Sequence, residues 1–245
     1  MVNKLIKYKI NGVFVTGNIM EITWLGQAGL LFETEGKKII VDPYLSDSVE
    51  KVQPQNYRRI AVDKSFLDIK PNIILLTHSH IDHMDNETLC HYLDAESSVS
   101  VFSPYSVWKE VRKFGGLKNN YVLFNSGTSW TEGETVFRAV KAEHSDEYAI
   151  GIIITSCGRN YYITGDTLYS EKVFESLPNI EFDTVFLPIN GVGNNMNVTD
   201  AIKFAERIKA KKVIPLHYGM FDCIDPVNID LPNKKILNIY QKENF

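Results

Sequence analysis

Cysteine is scarce in this chain. Cys90, Cys157 and Cys223 are the only three, far apart and without a Cys-x-x-Cys pair. An odd, scattered set argues against a disulfide framework and fits a reducing cytosol. Positive charge is not in excess: 26 Lys and Arg stand against 30 Asp and Glu, for a net charge of −4. The basic footprint of a nucleic-acid-binding protein is therefore missing. Long apolar runs are missing too. Stretches such as 149–155 are among the longest and are far too short to span a bilayer. The segment MVNKLIKYKINGVFVTG has lysines but no apolar run of signal-peptide length and no small-residue cleavage site. The expectation is a cytoplasmic protein that handles a small molecule, with no nucleic-acid or membrane partner. A homo-oligomer stays open.

What is present is ordinary globular material, 44% hydrophobic and 23% charged. A length of 245 residues allows one large domain or two small ones. With no short-period repeat, low-complexity tract or linker, one domain over 1–245 is expected. Residues 1–18 read as a peripheral strand. Strands follow over 21–24, 30–33 and 38–41, punctuated by Gly26, Gly29 and Gly36. Residues 42–64 are polar and irregular, and so long a loop in a compact domain is usually functional or disordered. The run Ile73-Ile74-Leu75-Leu76 reads as a buried strand. Asp85 or Asn86 caps a helix with Leu89, Tyr92 and Leu93 on its apolar face. A strand over 99–102, a helix over 104–114 and a strand over 122–124 complete the first half. The second half has strands over 134–143, 148–155 and 160–164, a helix over 170–177, a strand over 184–188, a helix over 199–209 and a strand over 212–216. Strands followed by β/α units, twice over, suggest two similar halves packed sheet to sheet with helices outside.

Histidine is scarce as well, six in all, yet three fall within Thr77-His78-Ser79-His80-Ile81-Asp82-His83. Neutral imidazole and ionised carboxylate are good ligands for divalent transition metals, and this stretch lies where a buried strand gives way to a loop. His144 extends the inward face shared by Val140 and Ala142, because a strand places alternate residues on one side. Asp166 follows the strand Tyr161-Tyr162-Ile163-Thr164, and His217 follows Val213-Ile214-Pro215-Leu216. Each group sits just beyond an apolar strand, so all can converge on one rim. A His-x-His pair alone is a weak signal, and Asp after Gly is often a turn residue. The weight lies in the full set. His91 lies off the apolar face of its helix and reads as solvated, and Cys223 reads as an idle or buried thiol.

The pattern His78-x-His80-x-Asp82-His83 with His144, Asp166 and His217 resembles the metal-binding set of the metallo-β-lactamase superfamily. Trp24-Leu25-Gly26-Gln27-Ala28-Gly29 and Val41-Asp42-Pro43-Tyr44 resemble that family's opening meander. Gly165-Asp166-Thr167 and Pro215-Leu216-His217-Tyr218-Gly219 are most similar to the branch that contains ascorbate-6-phosphate lactonase. The resemblance covers roughly residues 20–220 and implies an α/β (α+β) four-layer αββα sandwich of two similar halves. It also implies a hydrolytic centre of two divalent ions. His78, His80 and His144 would hold the first, Asp82, His83 and His217 the second, and Asp166 would bridge them. Paired cations make a bound water reactive near neutral pH. Asp82, Asp166 and His217 are the catalytic candidates. Asp82 is also placed to move a proton, and Asp42 to orient a ligand histidine. Five imidazoles and two carboxylates without a thiolate suit zinc, manganese or iron.

Two loops are candidates for substrate contact. One carries Asn190, Asn194 and Asn195 between glycines ahead of a helix N-terminus, which favours anions. The other carries Arg58 and Arg59, and arginine binds phosphate or carboxylate in bidentate fashion. Tyr218 neighbours His217. The expected activity is hydrolysis of a small ester, lactone or amide, with a phosphorylated sugar-acid lactone as a specific case. A phosphodiesterase or nuclease is the alternative. An iron redox protein of the flavodiiron kind would carry an acidic residue at position 80 and a flavin domain, and an intact ligand set argues against a non-catalytic binder.

Overall fold

The computed structural model describes residues 6–10, 13–17, 19–34 and 36–245. Its strands are β1 (Ile6–Ile10), β2 (Val13–Gly17), β3 (Glu21–Gly26), β4 (Gly29–Thr34), β5 (Lys37–Val41), β6 (Ile73–Leu75), β7 (Ser100–Ser103) and β8 (Asn120–Leu123). They continue with β9 (Ser129–Glu132), β10 (Thr135–Lys141), β11 (Ile150–Ser156), β12 (Arg159–Ile163), β13 (Thr184–Pro188), β14 (Lys212–Leu216) and β15 (Lys242–Asn244). The α-helices are α1 (Ser48–Val52), α2 (Asn86–Tyr92), α3 (Tyr105–Phe114), α4 (Glu171–Ser176) and α5 (Val198–Ile208).

Two sheets carry the fold. One runs β15-β3-β4-β5-β6-β7-β8, the other β14-β13-β12-β11-β10-β9. In each, an antiparallel meander gives way to parallel strands: β3 to β5 then β6 to β8, and β9 to β12 then β13 and β14. The two halves are thus alike, as expected. Strand alternation builds the layers. Ile73 and Leu75 of β6 join the core between the sheets, with Phe32, Phe102 and Phe137. Ile74 and Leu76 turn the other way and pack with Leu89, Tyr92, Val107 and Val111 of α2 and α3. On the second sheet, Tyr162 packs against Phe204 of α5, ring centroids 6.4 Å apart. Tyr161, one residue earlier, meets Phe32 of the opposite sheet at 5.9 Å. The result is the four-layer αββα sandwich. Among the described residues, no helix is long and apolar enough to cross a membrane.

Local chemistry sets the helix starts. Asp85 caps α2, its carboxylate accepting from Glu87 and Thr88 N–H, and Asn197 caps α5 by accepting from Asp200 N–H. Several expectations shift. Residues 42–64 are not wholly irregular, because α1 forms within them. The strand read over 1–18 is a pair, β1 and β2, joined antiparallel as a separate sheet, with the rest of that stretch outside the described residues. β9 and β15 have no counterpart in the sequence reading. Their sequences, SWTE and KEN, are polar and exposed, and pairing with β10 and β3 makes them strands.

Phe32 is fully buried and touches Tyr161 and Phe186 across the sandwich. Phe32→Ala should cost about 3–5 kcal/mol, read as a lower midpoint in urea unfolding. A loss below about 1 kcal/mol would show that the two sheets do not depend on this contact.

Candidate metal centre

Strand direction brings the chemistry to one edge. β5 and β6 run parallel, and β3 runs the same way as β5 because β4 reverses between them. Asp42, Thr77-His78 and the turn at Gln27 therefore lie past corresponding ends. In the other sheet β10, β12, β13 and β14 share one direction, so His144, Asp166 and His217 also follow C-terminal ends. The backbone bends sharply here. Gln27, Asp42 and His217 adopt φ of 51°, 41° and 59°. Non-glycine residues are uncommon in this left-handed region, and such strain clusters at functional sites. Gly165 is also left-handed, and a Cβ there would stand 2.7 Å from Ile150 O and 3.2 Å from Thr77 Cβ. Only glycine lets Asp166 approach the histidine loop this closely.

All seven residues come together. His78, His80, His144 and Asp166 form one group and Asp82, His83 and His217 a second, ligand atoms within 4.8 Å of one another in each. Asp166 lies between them. Its Oδ2 is 4.0 Å from His78 Nε2, 4.0 Å from His144 Nε2 and 3.2 Å from His217 Nε2, and its Oδ1 is 3.4 Å from His83 Nε2. The donor set fits cations. His78 Nε2 is buried with no hydrogen-bond partner, although buried polar atoms are normally satisfied. His80 Nδ1 faces His144 Nε2 at 3.1 Å, and His83 Nε2 faces His217 Nε2 at 3.4 Å. Facing ring nitrogens at these distances suit a shared cation.

Electrostatics divide the two groups. Burial pushes His78 well below its ordinary value, with the His83 charge adding to the effect. Burial also lowers His144. Both imidazoles are therefore neutral and have lone pairs free. His83 goes the other way: burial opposes its charge, but Asp166, Asp82 and Asp42 outweigh burial and hold it well above its ordinary value. His217 is likewise raised to about 10 against burial, by Asp166 and Asp82. Burial would raise Asp166 and Asp82, yet the same two imidazoliums hold both carboxyls below the usual range.

Buried partners fix each ring. Asp42 accepts from Thr77 N at 2.8 Å and Thr77 Oγ1 at 2.5 Å, and its Oδ2 lies 2.8 Å from His83 Nδ1. That contact leaves His83 Nε2 turned to Asp166. The asparagine loop also meets the centre. Asn195 Nδ2 donates to Asp166 Oδ2 at 2.7 Å, Asn194 O lies 3.2 Å from His144 Nδ1, and Asn190 Nδ2 lies 2.9 Å from His217 Nδ1. These asparagines hold ligand candidates in place. Two residues escaped the sequence reading. Gln27 Nε2 donates to Asp82 Oδ2 at 2.9 Å and lies 3.1 Å from His217 Nδ1, while Gln27 O accepts from His217 N at 3.0 Å. Asp146 accepts from Ser79 N and Oγ, Ser106 Oγ and Tyr148 N, at 2.6–3.0 Å. It ties the histidine loop to the loop bearing His144.

Three expected substrate contacts lie elsewhere. Arg58 is nearly enclosed and donates to Tyr44 O at 2.9 Å, its guanidinium 4.8 Å from the Tyr44 ring. Arg59 stacks on Tyr57 at 4.7 Å. Both line a cavity of about 720 Å³ bordered by Glu87 and His91 and by none of the seven. Tyr218 packs on Trp24 at 5.0 Å in the core between the sheets. Backbone carbonyls and an aromatic core recruit these side chains instead.

The protonation pattern sets a pH dependence. His83 and His217 gain stability from their carboxylate partners while charged. For His217 that contribution is complete below its unfolded value near 6.5 and is lost as pH rises through about 10. A cation in this group must displace both protons. Zinc affinity for Asp82, His83 and His217 should therefore rise between pH 7 and 9, with proton release in calorimetric titrations. The His78 and His144 group should change little. Equal pH dependence for both binding events would contradict the assignment.

Comparison with known proteins places the chain. A family model described as the Beta-lactamase superfamily domain matches residues 21–217. A UPF0173 metal-dependent hydrolase of Flavobacterium johnsoniae is 32% identical over 219 residues, covering 84% of this chain and 88% of that protein. Another, of Thermoplasma volcanium, is 31% identical over 220 residues, covering 85% of this chain and 88% of that one. The solved structure of Igni18, a metallo hydrolase of Ignicoccus hospitalis, shares the fold, with a TM-score of 0.73 and 18% identity over 93% of this chain and 98% of that one. The chain belongs to the beta-lactamase superfamily, among the UPF0173 metal-dependent hydrolases.

Proposed function

We propose that this protein is a cytoplasmic, single-domain hydrolase that uses two divalent ions, zinc, manganese or iron, to cleave a small ester, lactone or amide. The observation that carries this reading is the convergence of five imidazoles and two carboxylates in two adjoining groups, one of which holds the unpartnered Nε2 of His78. His78, His80 and His144 would hold one ion and Asp82, His83 and His217 the other, with Asp166 available to both. When bound, the ions lower the pKa of a water and polarise the group under attack.

The chain's own residues supply the rest. Asp42 keeps the His83 ring turned so that Nε2 faces inward. Asn195 holds the Asp166 carboxylate, fixing which oxygen points to which group. Asp82 is ionised at neutral pH and is the more exposed of the two carboxylates, at 15% against 7%. It accepts the proton of the attacking water and returns it to the leaving group. Gln27 orients it through Oδ2.

Assays with a lactone, a simple ester and bis-p-nitrophenyl phosphate, with and without chelator, test the reading and separate it from a phosphodiesterase. Turnover of the first two, abolished by chelator and restored by zinc or manganese, is the expected outcome. Asp166→Asn should bind metal at least about tenfold more weakly and lose most turnover, with an unchanged circular dichroism spectrum. Full activity in that variant would remove Asp166 from its shared position.

A further inference from the structure

Each neutral imidazole carries one proton, and the partner of its outward nitrogen decides where that proton sits. His144 Nδ1 lies 3.2 Å from Asn194 O. A carbonyl can only accept, so this nitrogen bears the hydrogen. Burial keeps the ring neutral, which leaves Nε2 bare. His78 Nδ1 lies 3.0 Å from Thr77 Oγ1. That hydroxyl already donates to the Asp42 carboxylate, so it accepts from His78 Nδ1. Burial keeps His78 neutral too, and its unpartnered Nε2 is bare.

His80 is different. Its Nδ1 faces His144 Nε2 at 3.1 Å, and its Nε2 lies 3.1 Å from Ser145 Oγ. A hydroxyl turns to donate or to accept as its neighbour requires. Ser145 is exposed, and among the described residues its Oγ has no hydrogen-bond partner other than His80. The contact is held in place from both sides. Asp146, next to Ser145, accepts from the backbone N–H and hydroxyl of Ser79, next to His80. Ser106 Oγ and Tyr148 N fix the same carboxylate.

Resting on the two-ion reading above, we propose that Ser145 is a positioning residue whose hydroxyl lets His80 exchange tautomers when a divalent ion enters the group of His78, His80 and His144. Without an ion, His80 Nδ1–H donates to the bare His144 Nε2, a separation within hydrogen-bond range. Ser145 then donates to His80 Nε2. An imidazole binds metal through a bare nitrogen, so both facing nitrogens have to offer lone pairs to an ion. His80 gives its Nδ1 proton to water and takes one from water at Nε2. The Ser145 hydrogen turns to solvent, and its oxygen accepts from Nε2–H. The charge of the ring is unchanged and no net proton leaves. A partner that only accepts would hold one tautomer, as Asn194 O does for His144.

The test follows protons and binding, not turnover. Zinc is titrated into protein isotope-labelled at its histidine nitrogens, at about pH 8, above the ordinary imidazole value. Long-range proton–nitrogen spectra report which ring nitrogen bears hydrogen, and His80→Gln identifies the His80 signals. His80 should be protonated on Nδ1 without zinc and on Nε2 with it, while His144 keeps Nδ1–H throughout. Ser145→Ala should weaken zinc at this group about tenfold, read from the same signals in chelator-buffered titrations, with the parental thermal midpoint when metal-free. Ser145→Thr, which keeps the hydroxyl, should restore the affinity. A His80 proton on Nε2 before zinc is added would overturn the proposal. So would parental affinity in the alanine variant, or a threonine variant as weak as alanine. Zinc that shifts the His78, His80 and His144 signals while His80 keeps its tautomer rejects this proposal alone. Zinc that shifts none of them rejects the two-ion reading and this proposal with it.

Discussion

One carboxylate organises everything around it. Asp42 is fully buried at the end of β5, in a left-handed conformation, with no lysine or arginine partner among the described residues. It is satisfied by the backbone N–H and hydroxyl of Thr77 and by the His83 ring. A buried charge is tolerable only when it is paired and hydrogen-bonded. These three contacts therefore fix the path of the chain as it leaves β6. Once Thr77 is pinned, His78 is forced inward and the loop returns to bring His83 over the same carboxylate. The remaining groups of the centre are arranged around this anchored loop.

The second sheet answers with less covalent proximity and more strand geometry. Its three acidic or imidazole groups arrive from the ends of different segments: His144 after β10, Asp166 after β12 and His217 after β14. The asparagine loop after β13 reaches across all three. Amides suit this task because they hydrogen-bond without adding charge. A further acidic or basic group would upset the balance that keeps His83 and His217 protonated and His78 and His144 neutral.

Much of this was legible in the sequence. The seven residues are chemically distinctive and most follow apolar strands, which suggested one shared rim, and the resemblance to the metallo-β-lactamase superfamily completed the set. The layout of two similar halves packed sheet to sheet followed from the repeated pattern of meander and β/α unit. What escaped notice depends on distant partners. Gln27 is a neutral amide in a glycine turn, and only the fold sets it beside Asp82 and beside His217, 190 positions away. Asp146 stands among other acidic and polar residues, and its four donors come from three separate segments. Arg58 advertises anions by its type, whereas the fold gives its donors to the carbonyls of Tyr44 and Ser46. β9 and β15 carry too little apolar pattern to be seen without the strands they border.

The division of the ligand candidates between the two sheets has a thermodynamic consequence. His78, His80, Asp82 and His83 belong to one half and His144, Asp166 and His217 to the other. A metal ion held between them would act as a clasp across the sandwich. A clasp present only in the native state adds stability that grows with the logarithm of free metal concentration. With such a clasp, melting temperatures would be properties of the buffer as much as of the chain, and two preparations would compare fairly only at equal metal activity.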